Sequence, residues 1–325
     1  MVEAAEGVLW ARLPLPFALD HVNVYLIEDG AGWALVDTGI GDDRTRALWE
    51  AMAAGPVRGR ALTRIIVTHH HPDHVGLAGW LAERFDVPIH MTEAEYLITQ
   101  HLCTNPRFLE GQNHRGFYLR HGMAERDAEV LITRGLRYRQ LTTGLPWAYR
   151  QLVAGEAITI GGRRFEILAG GGHSSEQAML HCAEAGLFFP ADQVLARVTP
   201  NVSVAALNPD DDPLGRFLRS LGAIKARISE EALVLAGHHL PLHGIGGRID
   251  EIIAHHEKRC GLIERACSGA PMTAAEILPV LFPRALDPHQ LTFAFSETLA
   301  HVNLMIRAGR LSWISDRGVL RAAAA

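Results

Sequence analysis

The sequence predicts an α/β protein whose sheets are covered by helices, followed by a small, mostly helical C-terminal segment. Three observations predict it. Short β-branched runs alternate with helix-period segments through most of the chain. From about Arg248 the pattern becomes helical, dividing residues 1–248 from 249–325. The 325 residues are 48% hydrophobic and 21% charged, an ordinary globular composition that can bury a large core. At roughly 150 residues per domain, two domains are expected.

Taken in order, Val22–Ile27 and Trp33–Val36 read as strands joined by the turn composition Glu28-Asp29-Gly30-Ala31-Gly32, a hairpin. Residues 43–54 have helical propensity and period. A buried strand at Thr63–Val67 leads into a histidine cluster, followed by a helix from about Val75 to Phe85 and a short strand at Val87–Met91. Residues 92–150 read as a mostly helical insertion. Its stretch from 107 to 150 carries arginines at 107, 115, 120, 126, 134, 137, 139 and 150 against Glu110, Glu125, Asp127 and Glu129. Such a basic segment is either a solvated surface or a rim that attracts an anionic substrate. Strand character returns at Ala157–Ile160, Arg164–Leu168, Ala178–Cys182, Leu187–Pro190 and Leu233–Leu235.

Beyond Arg248, residues 249–269 read as a long helix. Thr273-Ala274-Ala275-Glu276 is a capping-box pattern, and Phe293–Ala308 is a third helix closed by Gly309. Leu311–Ile314 and Val319–Arg321 flank Asp316-Arg317-Gly318 as a small hairpin, so the tail is similar to a winged-helix module.

A net charge of −5 gives no global attraction to nucleic acid or to an anionic membrane. Cys103, Cys182, Cys260 and Cys267 form no CxxC pair and read as reduced thiols. Met1–Trp10 is acidic with no basic residue, and no run reaches the ~18 apolar residues of a membrane helix. A cytoplasmic protein with no membrane partner is the expectation, with a homodimer as one assembly.

The decisive segment is Thr68-His69-His70-His71-Pro72-Asp73-His74-Val75-Gly76. Alternate residues at the end of an extended segment face one side, so His69 and His71 can share an ion. Pro72 turns the chain, redirecting Asp73 and His74 toward a neighbouring position. Imidazole and carboxylate suit zinc, iron or manganese. His70 lies between ligands, points away and takes no metal role. The competing reading is a histidine-rich surface loop.

This pattern resembles the metallo-β-lactamase superfamily, and its motifs appear in order over about residues 8–245. Val36-Asp37-Thr38-Gly39 matches the strand-end motif whose aspartate supports the site. His69, His71, Asp73 and His74 match HxHxDH. Gly172-His173-Ser174-Ser175 would add His173 to His69 and His71 on a first ion. Phe188–Asp192 would supply Asp192 as the bridge between two ions. Ala236–Pro241 would supply His238, with His239 as the competing candidate, to join Asp73 and His74 on the second. The resemblance implies a four-layer αββα sandwich with the metals at one edge of the sheets. It also implies two divalent cations, zinc by preference with iron or manganese as alternatives. Asp73 and Asp37 would be the catalytic carboxylates: Asp73 a ligand that can hold the nucleophile's proton, Asp37 an orienting group.

Arg197–Ser203, His255-His256 and Glu297–Asn303 are similar to the glyoxalase-II-like and lactamase-like-2 branch with a winged-helix-like C-terminal segment. That branch includes hydroxyacylglutathione hydrolases and endoribonucleases. The favoured expectation is hydrolysis of a thioester or ester of an anionic, acyl-CoA-like or glutathione-like small molecule. Cleavage of single-stranded nucleic acid is the alternative. Residues 251–325 hold eight basic against seven acidic groups, too even a balance for strong phosphate contact. A non-catalytic small-molecule binding protein is the third reading.

Overall fold

The computed structural model describes residues 1–55, 57, 59–105 and 112–325, so Arg107 and Glu110 of the basic segment lie outside the described residues. The first sheet comprises β1 (Val2–Ala5), β2 (Val8–Pro14), β3 (His21–Asp29), β4 (Gly32–Val36), β5 (Leu62–Ile66), β6 (Ile89–Met91) and β7 (Arg150–Gln151), in sequence order. β1 to β4 pair antiparallel and β4 to β7 parallel. The parallel crossovers carry α1 (Asp43–Ala54), α2 (Pro72–Val75), α3 (Ala78–Phe85) and α4 (Glu93–Thr104). Asp42 caps α1 by accepting from the Thr45 N–H, at 2.7 Å. The second sheet has the order β12-β11-β10-β9-β8, from β8 (Ala157–Ile160), β9 (Arg163–Gly170), β10 (Gln177–Cys182), β11 (Leu187–Ala191) and β12 (Leu233–Ala236).

Alternation along the strands builds two cores. Tyr25, Ile27, Val36 and Ile66 face inward and pack with Phe165, Ile167, Leu180 and Phe189 of the second sheet. The Tyr25 and Phe189 rings meet edge to face with centroids 5.3 Å apart. Leu26, Leu35 and Ile65 point the other way and pack with Trp49 of α1 and Leu81 of α3. On the second sheet the alternate residues Met179, Phe188 and Val234 are buried too. Both surfaces of each sheet are therefore covered, as the four-layer sandwich requires.

Packing divides the chain into two compact units. The first holds Met1–Thr104, Arg137–Pro200 and Ile224–Gly246; the second holds Asn105–Leu136, Asn201–Ala223 and Gly247–Ala325. The segment expected as one insertion, 92–150, contributes to both units, because packing partners distant in sequence determine membership. α7 (Pro213–Arg227) starts at Asp212-Pro213, a helix-opening pair in the sequence. The Asp212 carboxylate accepts from the Gly215 N–H at 2.8 Å.

In the second unit, α5 (Gln112–Arg120), α6 (Glu125–Gly135), α8 (Ile245–Cys267), α9 (Ala274–Leu281) and α10 (Pro288–Arg307) accompany a hairpin of β13 (Leu311–Asp316) and β14 (Val319–Ala324). Its core joins Cys260, Ile263, Ile277, Val302 and Leu311. The capping box at Thr273 and Glu276 forms as expected, and all four cysteines are free thiols. Among the described residues no helix is long and apolar enough to cross a membrane.

One part-buried ion pair here carries a stability prediction. Burial raises the Glu297 carboxyl to about 7, against the pull of the Arg259 guanidinium that contacts it. Arg259→Ala leaves that carboxylate unpaired, at an expected cost of about 3–5 kcal/mol. An acid raised in the folded state loses stability as pH rises through its folded value. Urea midpoints of the variant should therefore fall further below wild type at pH 8 than at pH 5.

Candidate metal centre

Every candidate residue follows the C-terminal end of a strand. Asp37 follows β4, His69 to His74 follow β5, His173 follows β9, Asp192 follows β11 and His238 follows β12. β4 and β5 run parallel, as do β11 and β12. β10 pairs antiparallel with both β9 and β11, so these two also share a direction. The strand ends therefore open on one edge, where their loops meet. Three of the five non-glycine residues with positive φ among the described residues flank it: Asp37 at 59°, Ala191 at 47° and His239 at 67°. Backbone strain of this kind persists only where surrounding bonds over-determine it. At His239 the N–H donates to His21 Nε2 and the carbonyl accepts from Asn23 Nδ2, both at 2.9 Å.

The side chains form overlapping groups: His69, His71 and His173; His69, His74 and Asp192; and Asp73, His74 and His238. His69 Nε2 lies 3.0 Å from His71 Nδ1 and 3.3 Å from His173 Nε2. Asp192 Oδ2 stands between the sets, 3.1 Å from His238 Nε2, 3.5 Å from His74 Nε2 and 3.6 Å from His173 Nε2. His238 Nε2 is also 3.4 Å from Asp73 Oδ2. His238 stands in the cluster, and His239 instead turns its ring toward His21, centroids 5.8 Å apart.

The outer atoms are held too. Asp37 accepts from the Thr68 N–H at 2.8 Å and from His74 Nδ1–H at 2.8 Å. His238 Nδ1–H donates to the His21 carbonyl at 2.7 Å. Each bond fixes the ring so that Nε2 faces the cluster, where it can bind a cation once its proton is lost. Asn23 and Tyr25 of β3 donate to the Ala236 carbonyl at 2.9 and 2.7 Å, which pins the His238 loop. Nothing in the sequence distinguished those two from ordinary strand residues.

Burial, then the neighbouring imidazoles, holds His69 and His71 well below the usual histidine range, so both are neutral. Burial would also lower His238, yet the carboxylates of Asp192 and Asp73 outweigh it and raise the ring to about 10. His74 is raised by Asp192, Asp73 and Asp37 in the same way. Burial pushes Asp73 and Asp192 up, but the histidines outweigh it and keep both ionised.

This donor set fits divalent cations. Tetrahedral zinc with Zn–N near 2.0–2.1 Å places its donors about 3.3 Å apart, close to the separations found. His74 Nε2 and Asp192 Oδ1 are buried without a hydrogen-bond partner, a costly state for polar atoms that a cation would relieve. Gly237 leaves the needed room, since a Cβ there would sit 2.2 Å from Asp192 Oδ1.

Residues 18–238 match the description "Metallo-beta-lactamase superfamily", and residues 260–325 match "Metallo-beta-lactamase-like, C-terminal domain". The chain belongs to the metallo-beta-lactamase superfamily. A beta-lactamase domain protein from Burkholderia ambifaria superimposes with a TM-score of 0.92 at 39% identity, covering 100% of this chain and 94% of that one. A metallo-beta-lactamase family protein from Thermus thermophilus does so at 0.83 and 29%, covering 99% and 100%. The probable metallo-hydrolase YqjP of Bacillus subtilis is 26% identical over 313 residues, 92% of each chain. Family membership and the histidine–aspartate clusters together make this chain a metallo-hydrolase of the superfamily.

Proposed function

We propose that the chain is a binuclear hydrolase of the glyoxalase-II-like branch that cleaves a thioester or ester in a small anionic substrate. One observation carries the two-metal reading: the same Asp192 oxygen lies within 3.6 Å of His74, His173 and His238. His69, His71 and His173 would hold one cation, Asp73, His74 and His238 the other, and Asp192 both. Zinc suits the nitrogen–oxygen set best, and the pair would acidify water and polarise the scissile carbonyl.

The protein's own groups do the rest. Asp73 is more exposed than Asp192, its side chain 21% accessible against 7%, and turns Oδ2 toward His238. Its carboxylate, held beside His238 and more open to solvent than Asp192, would help hold and orient the attacking water. Asp37 fixes the ring of His74. Arg12 reaches the His21 ring at 2.7 Å, so a cation stands beside the His238 loop. It gives an anionic substrate a place to dock. Within the basic 107–150 segment, Arg115 pairs with Glu125 and Glu129.

Parallel assays of the zinc-loaded protein test this reading. One panel holds acyl-CoA and acylglutathione thioesters, esters and lactones; the other holds labelled single-stranded RNA. Turnover of a thioester or ester is expected. Turnover of RNA alone would replace it with phosphodiester hydrolysis, and no turnover despite bound metal would favour a binding protein.

A further inference from the structure

Thr92-Glu93-Ala94-Glu95 opens α4 with the spacing of a capping box. At Thr273/Glu276 and Asp287/Gln290 that spacing closes on its own helix. At α4 it does not. The Thr92 hydroxyl donates to the Glu176 carbonyl at 2.7 Å. Glu95 is fully buried, and both of its carboxylate oxygens serve other loops. Oε2 accepts from the His70 N–H at 2.9 Å and from His70 Nδ1–H at 2.6 Å, while Oε1 accepts from the Glu176 N–H at 2.7 Å. The Tyr138 hydroxyl, donating at 2.6 Å, holds the His70 carbonyl.

These bonds land on two loops. His70 sits between His69 and His71, so fixing both of its backbone groups fixes its neighbours. Glu176 ends the turn that carries His173. We propose that Glu95 is a positioning residue that clamps these loops together and sets the spacing of His69, His71 and His173. The assignment rests on the two-metal reading above. Charge-assisted bonds from three donors compensate for burying the carboxylate. Ligand placement to within about 0.5 Å is what such outer bonds secure.

The test is a cobalt(II) titration of metal-stripped wild type and Glu95→Gln, followed by visible d–d absorption after circular dichroism has verified folding. The glutamine keeps the shape but offers one acceptor oxygen in place of two. It should bind cobalt roughly 10–100-fold more weakly, with an altered band. The loss should persist in a His238→Ala background, which keeps the His69, His71 and His173 group intact. It should largely vanish in a His173→Ala background, which a general loss of stability would not distinguish. A folded Glu95→Gln with unchanged affinity and band overturns the proposal. Wild type that takes up no cobalt instead defeats the two-metal reading itself. Where Glu95→Gln does not fold, His70→Ala removes the ring half of the clamp. A loss of roughly threefold or more, the worth of about one hydrogen bond, supports the assignment, and unchanged affinity overturns it.

Discussion

Asp192→Asn should lower kcat/KM by roughly 10³-fold or more on whichever thioester or ester the wild type turns over. Asp192 Oδ2 is the oxygen that faces ring nitrogens of both histidine sets. An amide keeps the shape but removes the negative charge that two adjacent cations require. Cation chemistry of this kind contributes several kcal/mol to a transition state, and each 1.36 kcal/mol is tenfold in rate. The metal content of the purified variant should fall with the activity. Full activity with full metal content would show that Asp192 does not join the two ions.

The second large effect is expected at Asp37, which touches no candidate cation and acts through His74. Its carboxylate accepts from Thr68 N–H and from His74 Nδ1–H, and is itself buried. Asp37 has φ 59°, a conformation that asparagine also tolerates, so Asp37→Asn changes charge with little added backbone strain. Loss of such a supporting group typically costs 10–100-fold in metal affinity. Zinc competition against a chromophoric chelator should show a loss in that range. An unchanged affinity would mean that His74 needs no carboxylate behind it.

Much of this was legible in the sequence, for physical reasons that also mark its limits. Strands buried on both faces appear as continuous apolar runs, and α1 spans the residues its period indicated, Asp43–Ala54. Five residues of the site lie between Asp37 and His74, where a strand-end motif and one dense cluster announce them. His173, Asp192 and His238 were legible only through motif order, since proximity in space leaves no local trace.

What escaped was long-range. The division into two interleaved units depends on packing between segments far apart in sequence. Glu95 escaped for a subtler reason: its spacing from Thr92 is that of a helix cap, and only the fold shows it bound to His70 and Glu176. The same pattern at Thr273 does cap its helix.

The most direct measurement is the zinc stoichiometry of wild-type protein, metal-stripped, dialysed to equilibrium against excess zinc and analysed for elemental content. Convergence of His69, His71, Asp73, His74, His173, Asp192 and His238 predicts two ions per chain. A chain that retains one or none under those conditions contradicts the account.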